Sequence, residues 1–216
     1  GYALLASDMA NDMSSTGMVL HLNVEDSVLS KTPWWQDPVT VSNASSQLKI
    51  NYDPLQINLG QFQADVNGAQ FSVSGEANLE RLGWSFKLLG EAPEIDSKVL
   101  ISLWPNFLKP KSRRWFEANV NGGKIKNLTV DVHQLVDNKP TLASSFQFDG
   151  TDLTFKRFMP EILDGAGYGT FEENALTLVM QSGYVEAAEG GKIKLEGSVM
   201  RVMDTRIPDP PAIFTI

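Results

Sequence analysis

In the stretch Leu48-Lys49-Ile50-Asn51-Tyr52-Asp53-Pro54-Leu55-Gln56-Ile57-Asn58-Leu59, apolar and polar residues alternate on both sides of Asp53-Pro54. A β-strand turns successive side chains to opposite faces, so Leu48, Ile50 and Tyr52 share one face of a strand, and Leu55, Ile57 and Leu59 share one face of the next. The pattern spreads outward to Met18, Leu20, Leu22 and Val24 upstream, and downstream to Leu128, Val130 and Val132, to Ser144, Phe146 and Phe148, and to Leu176, Leu178 and Met180. Turn formers separate these runs: Asn67-Gly68, Asp137-Asn138-Lys139-Pro140, Asp149-Gly150 and Glu189-Gly190-Gly191. Spacings this short suit antiparallel hairpins. The expected fold is mainly β, a β-rich α+β architecture of repeated, curved antiparallel sheet units.

The string Gly-Gly-Lys-Ile-Lys occurs twice, at Gly122–Lys126 and Gly190–Lys194. Shifting the chain by about 122 positions also carries Phe62, Gly68, Phe71, Val73 and Gly75 onto Tyr184, Gly190, Ile193, Leu195 and Gly197. This self-similarity predicts two sheet units in which the matched segments hold equivalent positions.

Between Pro93 and Asn121 the period changes. Leu100, Leu103, Trp104, Phe107 and Leu108 follow helical spacing, with Asp96 as the N-cap and Pro105 breaking the helix after Trp104. A second helix is expected from Pro110 to about Asn119, with Asn121-Gly122 taking the left-handed conformation beyond it. The chain therefore divides into a first sheet unit (1–92), a helical pair (93–121) and a second sheet unit (122–216). The alternating Pro210–Ile216 run reads as the opening of another strand, which suggests a segment of a longer protein.

Lys and Arg number 18 against 26 Asp and Glu, a formal charge of -8, so the electrostatic attraction that drives binding to a phosphate backbone is missing and nucleic acid is not expected as a partner. The absence of cysteine excludes disulfides, thiolate metal sites and a Cys nucleophile. No run of eighteen apolar residues occurs and no signal-peptide pattern opens the chain, so a soluble segment is expected.

Enzymatic constellations are not evident. Gly165-Ala166-Gly167-Tyr168-Gly169 leads toward a strand rather than a helix, so it reads as a turn or bulge, not a phosphate loop. His21 and His133 lack metal-ligand spacing, and Asp149-Gly150-Thr151-Asp152 reads as a turn without a calcium-loop pattern. No catalytic residue, metal site or cofactor is expected. The one concentration of positive charge is Lys109, Lys111, Arg113 and Arg114, flanked by Trp104, Phe107, Trp115 and Phe116. It suits either lipid head groups or the solvated face of a helix whose aromatic residues are core.

The segment Leu103-Trp104-Pro105-Asn106-Phe107-Leu108-Lys109-Pro110-Lys111-Ser112-Arg113-Arg114-Trp115-Phe116, followed by Gly122-Gly123-Lys124-Ile125, resembles the central domain of the AsmA-like, YhdP-type bacterial envelope proteins. The similarity runs over roughly residues 70 to 216. It implies a non-enzymatic periplasmic module of a protein tethered to the inner membrane through a segment outside this chain. Such a protein would serve phospholipid transport and outer-membrane biogenesis by offering an apolar sheet face or groove to lipid. Phospholipid or another acyl lipid would be the ligand, with envelope proteins as further partners. Trp104, Phe107, Lys111, Arg113, Arg114 and Trp115 are the candidate lipid or interface residues. Two other functions fit the same residues: a structural or protein-interaction β-module, and a carbohydrate-binding β-domain with Trp34, Trp35 and Trp84 as sugar platforms.

Overall fold

The computed structural model describes residues 12–14, 16–29, 38–106, 108–155, 159–207 and 210–215. In chain order the strands are β1 (Asp12–Ser14), β2 (Gly17–Val24), β3 (Ser27–Leu29), β4 (Val39–Tyr52), β5 (Leu55–Val66), β6 (Ala69–Glu80) and β7 (Gly83–Asp96). Two helices follow, α1 (Ser97–Leu103) and α2 (Pro110–Asn119). The remaining strands are β8 (Val120–Asn121), β9 (Lys124–Gln134), β10 (Thr141–Leu153), β11 (Ile162–Glu172), β12 (Ala175–Glu186), β13 (Lys192–Lys194), β14 (Val199–Val202) and β15 (Ala212–Thr215). They form a large antiparallel sheet ordered β1-β2-β4-β5-β6-β7-β9-β10-β11-β12-β14-β15, with β3, β8 and β13 pairing beside that path. The helical interval lies where the change of period places it.

Two compact units share this chain. Among the described residues, one comprises those of 12–29, 38–93 and 129–143, the other those of 94–128 and 144–215. The helices belong with the second unit, and the 129–143 hairpin at the joined ends of β9 and β10 belongs with the first. These strands run to 11 and 13 residues, long enough to give one end to each unit.

In the first unit, two-residue turns join β4 to β5, β5 to β6 and β6 to β7. Asn67 and Gly68 take φ of 49° and 80°, both left-handed, as a tight hairpin turn requires. Asn67 is also tied to the start of β4: its backbone N–H donates to Thr40 O, and its side-chain oxygen accepts from the Thr40 N–H, each at 2.9 Å. Turns this short fix the pairing beside them, although β5 shifts register farther along, against β4 near Gln47 and against β6 between Leu59 and Phe62.

The second unit holds the large buried side chains Ile95, Ile125, Phe148, Leu153, Phe155, Phe171, Leu178, Met180 and Met200. Its glycine-rich run is a strand, not a turn. Gly165–Gly169 lies inside β11, with register shifts around Ala166 that mark a bulge against β12. A Cβ on Gly167 would stand 2.0 Å from Val179 O and 2.9 Å from the Phe148 ring, and one on Gly169 would stand 2.5 Å from the Phe146 ring. The missing side chains make room for two aromatic rings of β10. Asp149–Asp152 is likewise part of β10, where Gly150 at φ 57° bends the strand without ending it.

The long repeat does not survive the register. Phe62 faces Val73, whereas its counterpart Tyr184 faces Lys194, one residue short of Leu195. A one-residue slip turns the matched residues to the opposite face. Its cause is the turn: Asn67-Gly68 closes one hairpin in two residues, while the other needs Ala187–Gly191, closed by bonds between Ala187 and Gly191 and between Gly190 and Ala187. The short repeat keeps its backbone and loses its environment. Both glycine pairs take left-handed φ and both open a strand, but Ile125 is buried and Ile193 is 51% exposed.

Close packing at Gly167 predicts that Gly167→Ala destabilises the protein by about 3 kcal/mol, because the clash is with backbone. Gly60→Ala, whose Cβ would come no nearer than 3.6 Å to any atom, should stay within about 0.5 kcal/mol. Urea denaturation of the two variants measures the difference.

Candidate functional site

The pairing of β2, β4, β5, β6 and β7 lines apolar residues up across the strands. Met18 faces Ile50, Ile50 faces Ile57, Ile57 faces Ala77 and Ala77 faces Phe86. The adjoining row runs Leu20, Leu48, Leu59, Gly75 and Leu88, in the same directly opposed register. Directly opposed residues share a face, so ten consecutive positions of one face carry no polar side chain. The other face is polar and internally bonded: Asn51 Nδ2 donates to Gln56 Oε1 at 3.1 Å, and Gln56 Nε2 donates to Asn78 Oδ1 at 2.8 Å.

Every residue of the two apolar rows remains partly exposed. Among the described residues, the buried apolar side chains of this unit are small: Val39, Val41, Ala44, Ala64, Ala69 and Ala92. Among the described residues, both helices belong to the other unit, so the first unit contributes no helical layer of its own to this face.

The helices lie where the sequence reads them, but past α2 Gly122 alone of the expected left-handed pair has positive φ, 77°, because Asn121 lies in β8. Asp96 caps α1, its Oδ1 accepting from the Lys98 N–H at 2.8 Å, and the helix ends before Trp104. Pro110 opens α2 behind Lys109, which stands at φ 47°. The Trp104 and Phe116 rings meet at a tilt of 52° with centroids 6.1 Å apart, and the Trp104 indole N–H donates to Leu108 O at 2.7 Å. Trp115 meets Phe155 edge-on at 6.0 Å, and Phe155 meets Phe214 of β15 at 5.4 Å. These aromatic residues hold the helices to the second unit's own sheet.

The basic cluster is divided in use. Arg113 lies between the helices, its Nε donating to Trp104 O at 3.1 Å and its Nη2 to Ile101 O at 3.3 Å, so it satisfies carbonyls at the end of α1. Its Nη1 reaches Glu117 one turn along. Lys109 donates to Asn174 Oδ1 at 2.8 Å and lies over the Phe171 ring; burial and the nearby Arg206 hold its ammonium below the usual lysine range. Lys111 donates to Arg206 O at 2.8 Å, and Arg114 is exposed. Arg206, 95 residues beyond Lys111, therefore joins this basic corner without any signal in the local sequence. The Asp204 carboxyl is held at about 2, chiefly by hydrogen bonds from Arg206.

Phe107, Trp34 and Trp35 lie outside the described residues. Trp84 is 40% exposed and faces Leu79, which is equally open. His21 and His133 are exposed, and among the described residues no group of three or more potential ligands gathers to hold a metal. No described helix is long and apolar enough to cross a membrane. No family model matches this chain, and no curated protein or solved structure proved similar to it.

The different burdens on two adjacent arginines give a test. Arg113→Met leaves carbonyls of α1 without their donor and should cost about 2 kcal/mol. Arg114→Met should lie within about 0.5 kcal/mol of the parent protein, as surface substitutions do. Equal losses in urea denaturation would show that Arg113 is not the link between the helices.

Proposed function

We propose that this chain is a non-enzymatic module of a periplasmic, inner-membrane-tethered protein that offers an apolar sheet face to the acyl chains of phospholipids. The observation that supports this reading is the pair of unbroken apolar rows across β2, β4, β5, β6 and β7, partly exposed and backed by a polar face. Four inter-strand spacings give a track about 19 Å long, against ~15 Å for half the hydrocarbon core of a bilayer, so an extended acyl chain fits along a row. Each methylene withdrawn from water contributes about 0.8 kcal/mol, so affinity accumulates along the track without a closed pocket. The head group stays in water.

The resemblance of the Leu103–Phe116 segment to AsmA-like, YhdP-type envelope proteins points the same way, toward phospholipid movement in outer-membrane biogenesis. A structural module would bury these rows against another protein, and a sugar-binding module would rest on the exposed Trp84 beside the rows, in place of the rows themselves.

Photo-crosslinking with a phospholipid carrying a diazirine in its acyl chain tests the proposal. Labelling should map to the Leu48–Leu59 rows and fall at least about tenfold in Leu59→Asp, because a carboxylate on the track must be desolvated. Lys49→Asp, on the opposite face, should label like the parent protein. Undiminished labelling of Leu59→Asp rules the track out.

A further inference from the structure

The turn at 203–207 combines exposed apolar side chains with exposed positive charge. Met203 and Ile207 are 52% and 49% exposed, although each is large and apolar. Between them the Arg206 side chain is 69% exposed. The turn is fastened beside the first turn of α2 by the bond from Lys111 Nζ to Arg206 O. Arg114 follows Lys111 at i+3, on the same helix face. Lys109 stands at the start of that helix, half-buried against Asn174 and Phe171. Among the described residues, Asp204 is the one carboxylate that pairs with any of these four cations. Positive charge is therefore gathered in a chain whose net charge is -8.

We propose that the Met203–Ile207 turn, together with Lys111 and Arg114, is a contact for an anionic phospholipid surface. Cations alone would serve any anion. Two exposed apolar side chains bracketing an arginine give no advantage with a soluble anion, but at a bilayer interface they enter the acyl boundary while the cations stay among the head groups. The acidic remainder of the chain is repelled by such a surface, so the contact would also set which side of the protein faces the membrane.

The contact lies in the second unit and does not depend on the acyl track of the first. Co-flotation of the chain with vesicles of phosphatidylcholine, alone or mixed with phosphatidylglycerol, tests it. Binding is expected on the mixed vesicles, weakened by added salt and absent on phosphatidylcholine alone. Arg114→Gln should lower partitioning about fivefold, the worth of one cation near an anionic surface, and Ile207→Ser should lower it as well. Both positions are exposed, so an unchanged melting temperature verifies the fold. Lys49→Gln, which removes the same charge elsewhere, should have no such effect. Equal binding to both vesicle types, equal loss in all three variants, or full displacement by inorganic phosphate would overturn the proposal. Lost flotation with retained acyl labelling counts against this contact alone, and the reverse counts against the track alone.

Discussion

Cross-strand register is the constraint on which the first unit depends. Side chains alternate along each strand, so a slip of one residue between any neighbours would move an entire apolar set to the polar face. Two-residue turns carry their register into the apolar rows for β4 with β5 and for β6 with β7, whereas between β5 and β6 a one-residue shift between Leu59 and Phe62 separates the rows from the Asn67-Gly68 turn and its bonds to Thr40. The result is a face made by pairing rather than by any single strand: Leu20, Leu48, Leu59 and Leu88 come from four separate segments and fall in one row.

The two units solve the same problem differently. A sheet with one apolar face must bury it or present it. The second unit buries large side chains such as Phe148, Phe155 and Phe171, and its helices are fastened by Trp115 against Phe155 and by Lys109 over Phe171. Among the described residues, the apolar side chains that the first unit buries fully are valine and alanine, and its larger aliphatic residues remain partly open. Fastening the helices also occupies much of the positive charge. Arg113 is drawn inward by backbone carbonyls, and Lys109 is partly desolvated, which leaves Lys111, Arg114 and the distant Arg206 as the outward cations.

Much of this was legible because it is local. Period-two runs marked β2, β4, β5, β9, β10 and β12, and the change of period with Asp96, Pro105 and Pro110 placed both helices within a residue of their ends. The Gly165–Gly169 run, read as a turn or bulge, is a bulge within β11, and its glycines make room for Phe146 and Phe148 of the neighbouring strand. Asp149–Asp152 read as a turn because Gly150 signals one, yet the strand continues through it.

From the amino-acid sequence alone came the strands, the helical pair, the absence of cysteine chemistry and the acidic balance, since each depends on residues a few positions apart or on composition. Tertiary structure decided which apolar residues lie in a common row, which member of the basic cluster faces inward, and that Arg206 stands beside Lys111. It also separated Ile125 from Ile193, which occupy identical pentapeptides with similar backbone; one is buried and the other open. The physical reason is that burial and charge pairing depend on what lies across the strand or over the helix. Those neighbours are set by turn length and register, and in this chain they stand up to 95 residues away.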